Sequence, residues 1–182
     1  MTLTEFKAHA KITQTYEDDY IEDVLLPAAT EFCQNWQGRQ YISCGFTDRF
    51  DYWPDACSSL ELRWCPVSAV SQITYVDASG IDGNILTSTI YETDLVICPA
   101  EIFLAYGQSW PAIRSKRNAI SAVYTAGYGV ASTVPARAKQ AINLLANHWI
   151  RNREGVLVGS VSKEIEFAIK SLLGQQRVLR AA

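Results

Sequence analysis

Two changes of hydrophobic period constrain the fold of this 182-residue chain more than any other feature of it. Between Leu3 and Trp36 apolar residues recur at helical spacing. Between Arg39 and Val130 they alternate or cluster in short aromatic and β-branched runs, and from Val134 the helical spacing returns. No helix-length periodic stretch separates one strand from the next, which argues against a parallel βαβ sheet. Helices at the two ends, neither with enough apolar surface to be stable alone, must close on each other. The expected class is α+β: a helical bundle of residues 1–38 and 133–182, with an inserted antiparallel β module at residues 39–132.

The expected hub is Val134–Gly155, VPARAKQAINLLANHWIRNREG. Pro135 suits a first helical turn, where its missing N–H would be unpaired in any case. Ala138, Ala141, Ile142, Leu145 and Trp149 form the apolar stripe, with Leu144 widening it. Arg151 and Arg153 suit the negative end of the helix dipole, and Gly155 stops the helix.

Ahead of the β segment, Leu3–Ala10 reads as a short helix. A longer helix follows, capped by Thr13 or Thr15, with Glu17, Asp18, Asp19, Glu22 and Asp23 in its first turns. Acids there are stabilised by the helix dipole, and no Asp-x-Asp-x-Asp-Gly calcium loop is present. Ile21, Val24, Leu25, Ala28, Phe32 and Trp36 are the expected buried stripe, Pro27 predicts a kink, and Gly38 ends the helix. Trp36 and Trp149 are the expected interior anchors. At the far end Ser162 is expected to cap a last helix, Lys163–Leu173, followed by a tail from Gln175 to Ala182.

The β segment predicts short strands over Gln40–Phe46, Phe50–Trp53, Leu60–Trp64, Val70–Asp77, Asn84–Leu86, Ile90–Leu95, Ile102–Leu104 and Ala119–Tyr124. Pro54, Pro66, Pro99 and Pro111 belong at strand starts, edges or loops.

The net charge of −3 conceals a gradient. Residues 1–62 carry eleven acids against four bases, and residues 135–182 carry three acids against eight bases. Either the two helical ends attract each other within one subunit, or an acidic face meets a basic face on a neighbouring copy.

No apolar run is long enough to span a bilayer, and MTLTEFKAHAKI lacks the apolar core of a signal peptide, so synthesis and retention in the cytoplasm are expected. Five cysteines (Cys33, Cys44, Cys57, Cys65, Cys98) without a C-x-x-C pair read as reduced, partly buried thiols in that compartment. The two histidines, His9 and His148, form no metal-binding pair at helical spacing. There is no nucleophile elbow, Walker loop or dinucleotide fingerprint, so neither catalysis nor a cofactor or metal is expected. Arg114-Ser115-Lys116-Arg117 is a compact basic patch, suited to weak, sequence-independent attraction to phosphate or to a solvated loop.

Taken in order, several segments resemble the head–tail connector (adaptor) proteins of long-tailed bacteriophages and gene transfer agents. These are Leu3–His9; the acid-led helix ending Ala28-Ala29-Thr30-Glu31-Phe32; Cys65–Asp77 with a glycine turn; Ser109-Trp110-Pro111; Val123–Gly129; and Val134-Pro135 with Ala141–Glu154. The resemblance covers nearly the whole chain and departs from the family at the cysteine-rich β part. It implies a structural virion protein in the neck, made in the host cytoplasm, that forms a ring, dodecameric in that family, beneath the portal protein. Such a ring extends the DNA channel and presents a docking surface to the next neck (stopper) or tail protein. By carry-over, Leu172, Leu173, Val178, Leu179 and Arg180 are candidates for portal contact. Glu17, Asp18, Asp19, Glu22, Asp23, Arg137, Arg151 and Arg153 are candidates for subunit contact, and Arg114, Lys116 and Arg117 for facing DNA in the channel. The alternative is a monomeric binding module whose β insert holds a ligand or host surface. An enzyme assembled from Cys/His or carboxylate groups is a third reading.

Overall fold

The computed structural model describes residues 1–55, 57–152 and 161–178, with 161–166 described by their backbone alone. The chain divides into two compact units, Met1–Tyr41 with Gly129–Ala182, and Ile42–Tyr128.

In the first unit, α1 (Leu3–Ala10) opens with a reciprocal cap. Glu5 N–H donates to Thr2 Oγ1 (3.2 Å), and Thr2 N–H donates to Glu5 Oε2 (2.9 Å). The Thr2 N–H, helped by the Lys139 ammonium and the N-terminal amine, holds the Glu5 carboxyl below its usual value of about 4.5. Folding therefore favours the carboxylate. The cap's contribution is in place above that value and is lost as pH falls through the lower folded one. Wild type and Glu5→Gln should differ in melting temperature at neutral pH and converge in acid; a gap independent of pH would remove the carboxylate from the cap.

The next helical run is continuous but not uniform: α2 (Asp18–Tyr20), a π turn (Ile21–Leu25) and α3 (Leu26–Gln37). The wide turn lies immediately before Pro27, which has no N–H to give, and the Leu26 N–H reaches back to the Ile21 carbonyl. The expected disturbance at Pro27 thus takes the form of an extra residue in the preceding turn. Neither expected threonine cap forms. Glu17 occupies the cap position but its side chain does not cap the helix, and the Thr15 carbonyl accepts from Asp18 N–H (3.2 Å).

The buried stripe also differs from expectation. Ile21, Leu25, Ala29, Cys33 and Gln37 face inward with Leu26, while Val24 (53 % exposed), Ala28 and Phe32 (47 %) face out and Trp36 is half-buried. The sequence carries two rows at four-residue spacing, one residue apart. Gln37 and Cys33 made the buried row look the less apolar. A C-cap at Gly38, in the left-handed region (φ 71°), ends the run as expected.

Helix α4 (Ala136–Arg151) is the hub, with α1, the π turn, α3 and the last helix, α5 (Val161–Gly174), all packed on it. It buries Ala138, Ala141, Ile142, Leu145 and Ala146. Trp149 is half-buried and meets Phe32 edge-on at 6.2 Å, so neither it nor Trp36 is an interior anchor. The helix closes at Asn152, whose Nδ2 donates to the His148 carbonyl (3.0 Å). The expected stop at Gly155 lies outside the described residues. Helix α5 (Val161–Gly174) begins just ahead of Ser162 and buries Ile169 and Leu173.

The second unit is all β. Its strands are β1 (Cys44–Phe50), β2 (Ser59–Glu61), β3 (Val67–Tyr75), β4 (Asn84–Ile85), β5 (Tyr91–Asp94), β6 (Glu101–Leu104) and β7 (Ile120–Ala126). Every pairing is antiparallel, in two sheets ordered β1-β7-β3-β4 and β2-β6-β5. Leu60 and Ile102 from one sheet, Leu62 just past β2, and Val67, Ile73, Ile120, Ala122, Tyr124 and Ala126 from the other sheet share one core. Strand β7 alternates strictly between buried and half-buried positions.

Strand β1 replaces the two strands expected at Gln40–Phe46 and Phe50–Trp53. Asp48 occupies an inward position between Phe46 and Phe50 and so masks the alternation. It is held there by hydrogen bonds: Asp48 Oδ2 accepts from Tyr124 Oη (2.8 Å) and from Arg63 N–H. Cys65 and Cys98 are bonded, with Cα atoms 6.0 Å apart, which corrects the expectation that all five cysteines are free thiols. They tie the start of β3 to the β5–β6 connection.

Where the chain passes Gly127, space is short. A Cβ there would lie 2.6 Å from the backbone of Ile42 and Ser43, and φ is +133°, so only glycine fits.

Candidate functional site

The sequence-predicted candidates fall in two places. Most belong to the helical unit, where the described C-terminus is bound down rather than left as a tail. Gln37, 1 % exposed, organises this attachment. Its Nε2 donates to the Leu173 carbonyl (3.2 Å), its Oε1 accepts from Tyr41 Oη (3.0 Å), and its carbonyl accepts from Val178 N–H (2.9 Å). Arg39 Nε donates to the Gln176 carbonyl (2.7 Å), and the Arg177 guanidinium lies over the Trp36 ring at 4.7 Å. Arg137 Nη1 donates to Gln175 Oε1 (3.2 Å).

This attachment sorts the portal candidates. Leu173 is fully buried and belongs to the interior, whereas Leu172 and Val178 are half-buried. Leu179 and Arg180 lie outside the described residues. The described C-terminus is thus held at Val178, beside Gly38.

That point is sterically tight, since a Cβ on Gly38 would sit 3.2 Å from Val178 Cβ. Gly38→Ala should cost about 1–2 kcal/mol, combining the left-handed backbone with the displaced Val178. Urea unfolding checks it, and a neutral result would mean that the Val178 contact yields freely.

Among the subunit-contact candidates, Asp19, Glu22, Asp23 and Arg151 are exposed. Asp18 is engaged within the subunit by Lys7 Nζ (2.7 Å), Glu17 is half-buried, and Arg137 is half-buried beside Gln175. Arg153 lies outside the described residues. Lys139–Glu5 (3.7 Å) joins a base of the C-terminal end to an acid of the N-terminal end, Lys7–Asp18 lies within the N-terminal end, and a further set of both signs faces solvent.

Arg114, Lys116 and Arg117 are exposed together on the connection between β6 and β7 in the other unit. Arg114 Nη1 lies against Gly80, in the Asp77–Gly83 turn. In that turn Asp77 accepts from Ser79 Oγ (2.6 Å) and from Ile81 N–H (2.9 Å), and the Ser79 bond is the main reason its carboxyl is held below the usual range. Asp51 accepts from Asn118 N–H (2.7 Å) beside the same loop. The basic loop thus has carboxylates for neighbours, which tempers its attraction for phosphate.

Of the thiols outside the disulfide, Cys44 and Cys57 are exposed and Cys33 is buried. Burial pushes the Cys33 thiol up to about 12, so it stays protonated and non-nucleophilic. His148 Nδ1 lies 3.1 Å from Asn152 Nδ2 at the end of α4. Among the described residues no His, Cys, Asp and Glu cluster is arranged to hold a metal ion, and no helix is long and apolar enough to cross a membrane.

Sequence reasoning missed Gln37, Arg39 and Tyr41. One signal was available: a glutamine continuing the row Ile21–Leu25–Ala29–Cys33 must find partners when buried.

No protein-family model matches the chain, nor does the sequence of any curated protein. Solved structures do match. A chain of the virion of a native gene transfer agent particle is 22 % identical, with a TM-score of 0.78 over 100 % of this chain and 91 % of that one. A chain from the neck of an empty gene transfer agent particle, computed with C6 symmetry, is 23 % identical, with a TM-score of 0.76 over 100 % and 91 %. A chain from the neck of a native particle, computed with C12 symmetry, is 22 % identical, with a TM-score of 0.71 over 99 % and 90 %. Both units therefore belong to a fold that those chains share.

Proposed function

We propose that this chain is a non-enzymatic structural protein of a virion neck, a head–tail connector that assembles as a ring beneath the portal. The observation that carries the reading is the match of fold along the entire chain to chains from particle necks computed with C6 and C12 symmetry. A local likeness of one unit would support only a shared module. In this reading the ring is dodecameric, extends the DNA channel, and offers its far side to the next neck or tail protein. Assembly takes place in the host cytoplasm and the product resides in the virion.

The anchored C-terminus suits contact with the portal. We assign Leu172, Val178, Leu179 and Arg180 to that role; Leu172 and Val178 are half-buried. Arg114, Lys116 and Arg117 serve as a weak, non-specific DNA-facing loop.

Negative-stain imaging of the purified chain with its cognate portal tests the proposal. A ring seated on the portal is the expected result, and neither ring nor portal binding at any salt or concentration would refute it. If acidic and basic faces meet across subunits, self-association should weaken as salt is raised from about 0.05 to 0.5 M. Assembly indifferent to salt would assign the contact to apolar surface alone.

A further inference from the structure

The Cys65–Cys98 bond links the two sheets of the β unit. Cys65 stands just ahead of β3 in the four-stranded sheet, and Cys98 lies between β5 and β6 of the three-stranded one, 33 residues on. The unit has a core without that link. Leu60, Leu62, Ile73, Ile102, Ile120 and Tyr124 pack together from both sides, and each strand is paired with a neighbour. A unit spanning Ile42–Tyr128 is also well above the size at which small domains depend on disulfides to fold.

The remaining cysteines bear on when the bond forms. Cys33 is buried, and Cys44 and Cys57 are exposed, all three outside the bond. Exposed thiols compete for pairing when a chain folds under oxidising conditions, so this set suits a chain that folds as thiols and is oxidised afterwards. Folding brings Cys65 and Cys98 within bonding reach, with Cα atoms 6.0 Å apart. The two differ in access: Cys65 is 0 % exposed, whereas Cys98 is half-buried beside an exposed Ile97.

We infer that Cys65–Cys98 is a redox lock of the β unit, closed after folding by a low-molecular-weight disulfide that enters at Cys98. The Cys98 thiolate attacks one sulfur of that molecule, breaking its S–S bond and forming a mixed disulfide as the first small thiolate leaves. The Cys65 thiolate then attacks the Cys98 sulfur and displaces the second small thiolate. The two cysteine protons pass to the departing thiolates, so the protein dithiol is oxidised and the small disulfide is reduced to two thiols. The timing rests on the neck reading: the chain is kept reduced in the host cytoplasm and meets an oxidising medium once the particle is released.

The test exposes the full chain, purified under reductant, to oxidised glutathione and follows it by non-reducing peptide mapping and mass spectrometry. Loss of two hydrogens in a single Cys65–Cys98 cross-link is expected, with a melting temperature about 10 °C above that of the reduced chain. Cys65→Ala should stop at a glutathione adduct on Cys98, whereas Cys98→Ala should leave Cys65 unmodified. Should either variant misfold, alkylation of the reduced wild type by iodoacetamide reads the same order, with Cys98 modified about tenfold faster than Cys65. Both thiols persisting in excess oxidised glutathione, preferential pairing through Cys44 or Cys57, or a reduced chain lacking the far-UV spectrum of the oxidised one would overturn the inference. Ring formation on the portal by the reduced chain is expected as well. Rings that form only after oxidation would overturn the order of events. No ring in either redox state would refute the neck reading, while the peptide map still decides whether the lock closes.

Discussion

Leu173→Ala is expected to cost about 3–5 kcal/mol of folding stability, and its neighbour Leu172→Ala about 1 kcal/mol. The two leucines are adjacent on one helix and chemically identical, so the difference must come from position. Leu173 is fully buried, and its carbonyl also receives the Gln37 side chain. Truncation there leaves a cavity in the middle of the C-terminal attachment. Leu172 is half-buried and loses only part of its burial. Urea unfolding followed by far-UV circular dichroism measures both, and equal losses would contradict the packing of α5. Portal capture should separate them in the opposite sense. Under the proposed function, Leu172→Ala weakens capture while remaining folded, whereas Leu173→Ala loses capture only in proportion to the fraction unfolded.

Tyr124 is the second position with a large expected effect. Its ring is fully buried in the β core, and its hydroxyl both donates to Asp48 Oδ2 (2.8 Å) and accepts from Trp64 N–H (3.0 Å). Tyr124→Ala should cost about 3–5 kcal/mol through the lost ring volume. Tyr124→Phe keeps the ring but leaves Asp48 with the Arg63 N–H bond and takes the acceptor from the Trp64 N–H, and should cost about 1–3 kcal/mol. Asp48→Asn in the Phe background should then recover part of that loss, because a neutral amide is cheaper to leave underpaired than a charge. If Tyr124→Phe proves neutral by near-UV circular dichroism in urea, water has replaced the hydroxyl and the polar link across the sheet contributes nothing.

The α+β class is legible in the sequence because period is a property of the chain alone: three- and four-residue recurrence in Val134–Trp149 and alternation in Ile120–Ala126 need no knowledge of neighbours. What needs neighbours was not legible. Two rows on the α2–α3 run were nearly equal in hydrophobicity, and only packing on α4 decided that Ile21–Leu25–Ala29–Cys33 would be inside. Asp48 inverted the apparent pattern of β1 because its partners, Tyr124 and Arg63, lie 76 and 15 residues away. For the candidate site, the acids of Glu17–Asp23 and the exposed basic loop at Arg114 could be read directly. The attachment through Gln37 could not, since its partners lie at Leu173 and Val178, more than 130 residues on. Nor could the pairing of Cys65 with Cys98, which an odd cysteine count leaves undetermined.

The crowding at Gly127 has a bearing on how such a chain can change over time. The β unit begins and ends on paired strands: Cys44 faces Ala126 in the β1–β7 register, and Gly127 touches the backbone at Ile42 and Ser43. Paired antiparallel residues stand only about 5 Å apart. The chain leaving Tyr41 therefore returns within a hairpin's width of where it left, and for the helical ends the excursion is equivalent to one short loop. The segment between them can be lengthened, trimmed or exchanged by recombination at two codon positions that are distant in the gene but adjacent in the fold, provided the returning strand keeps its glycine. The β unit is thus free to diversify while the helical unit stays as it is.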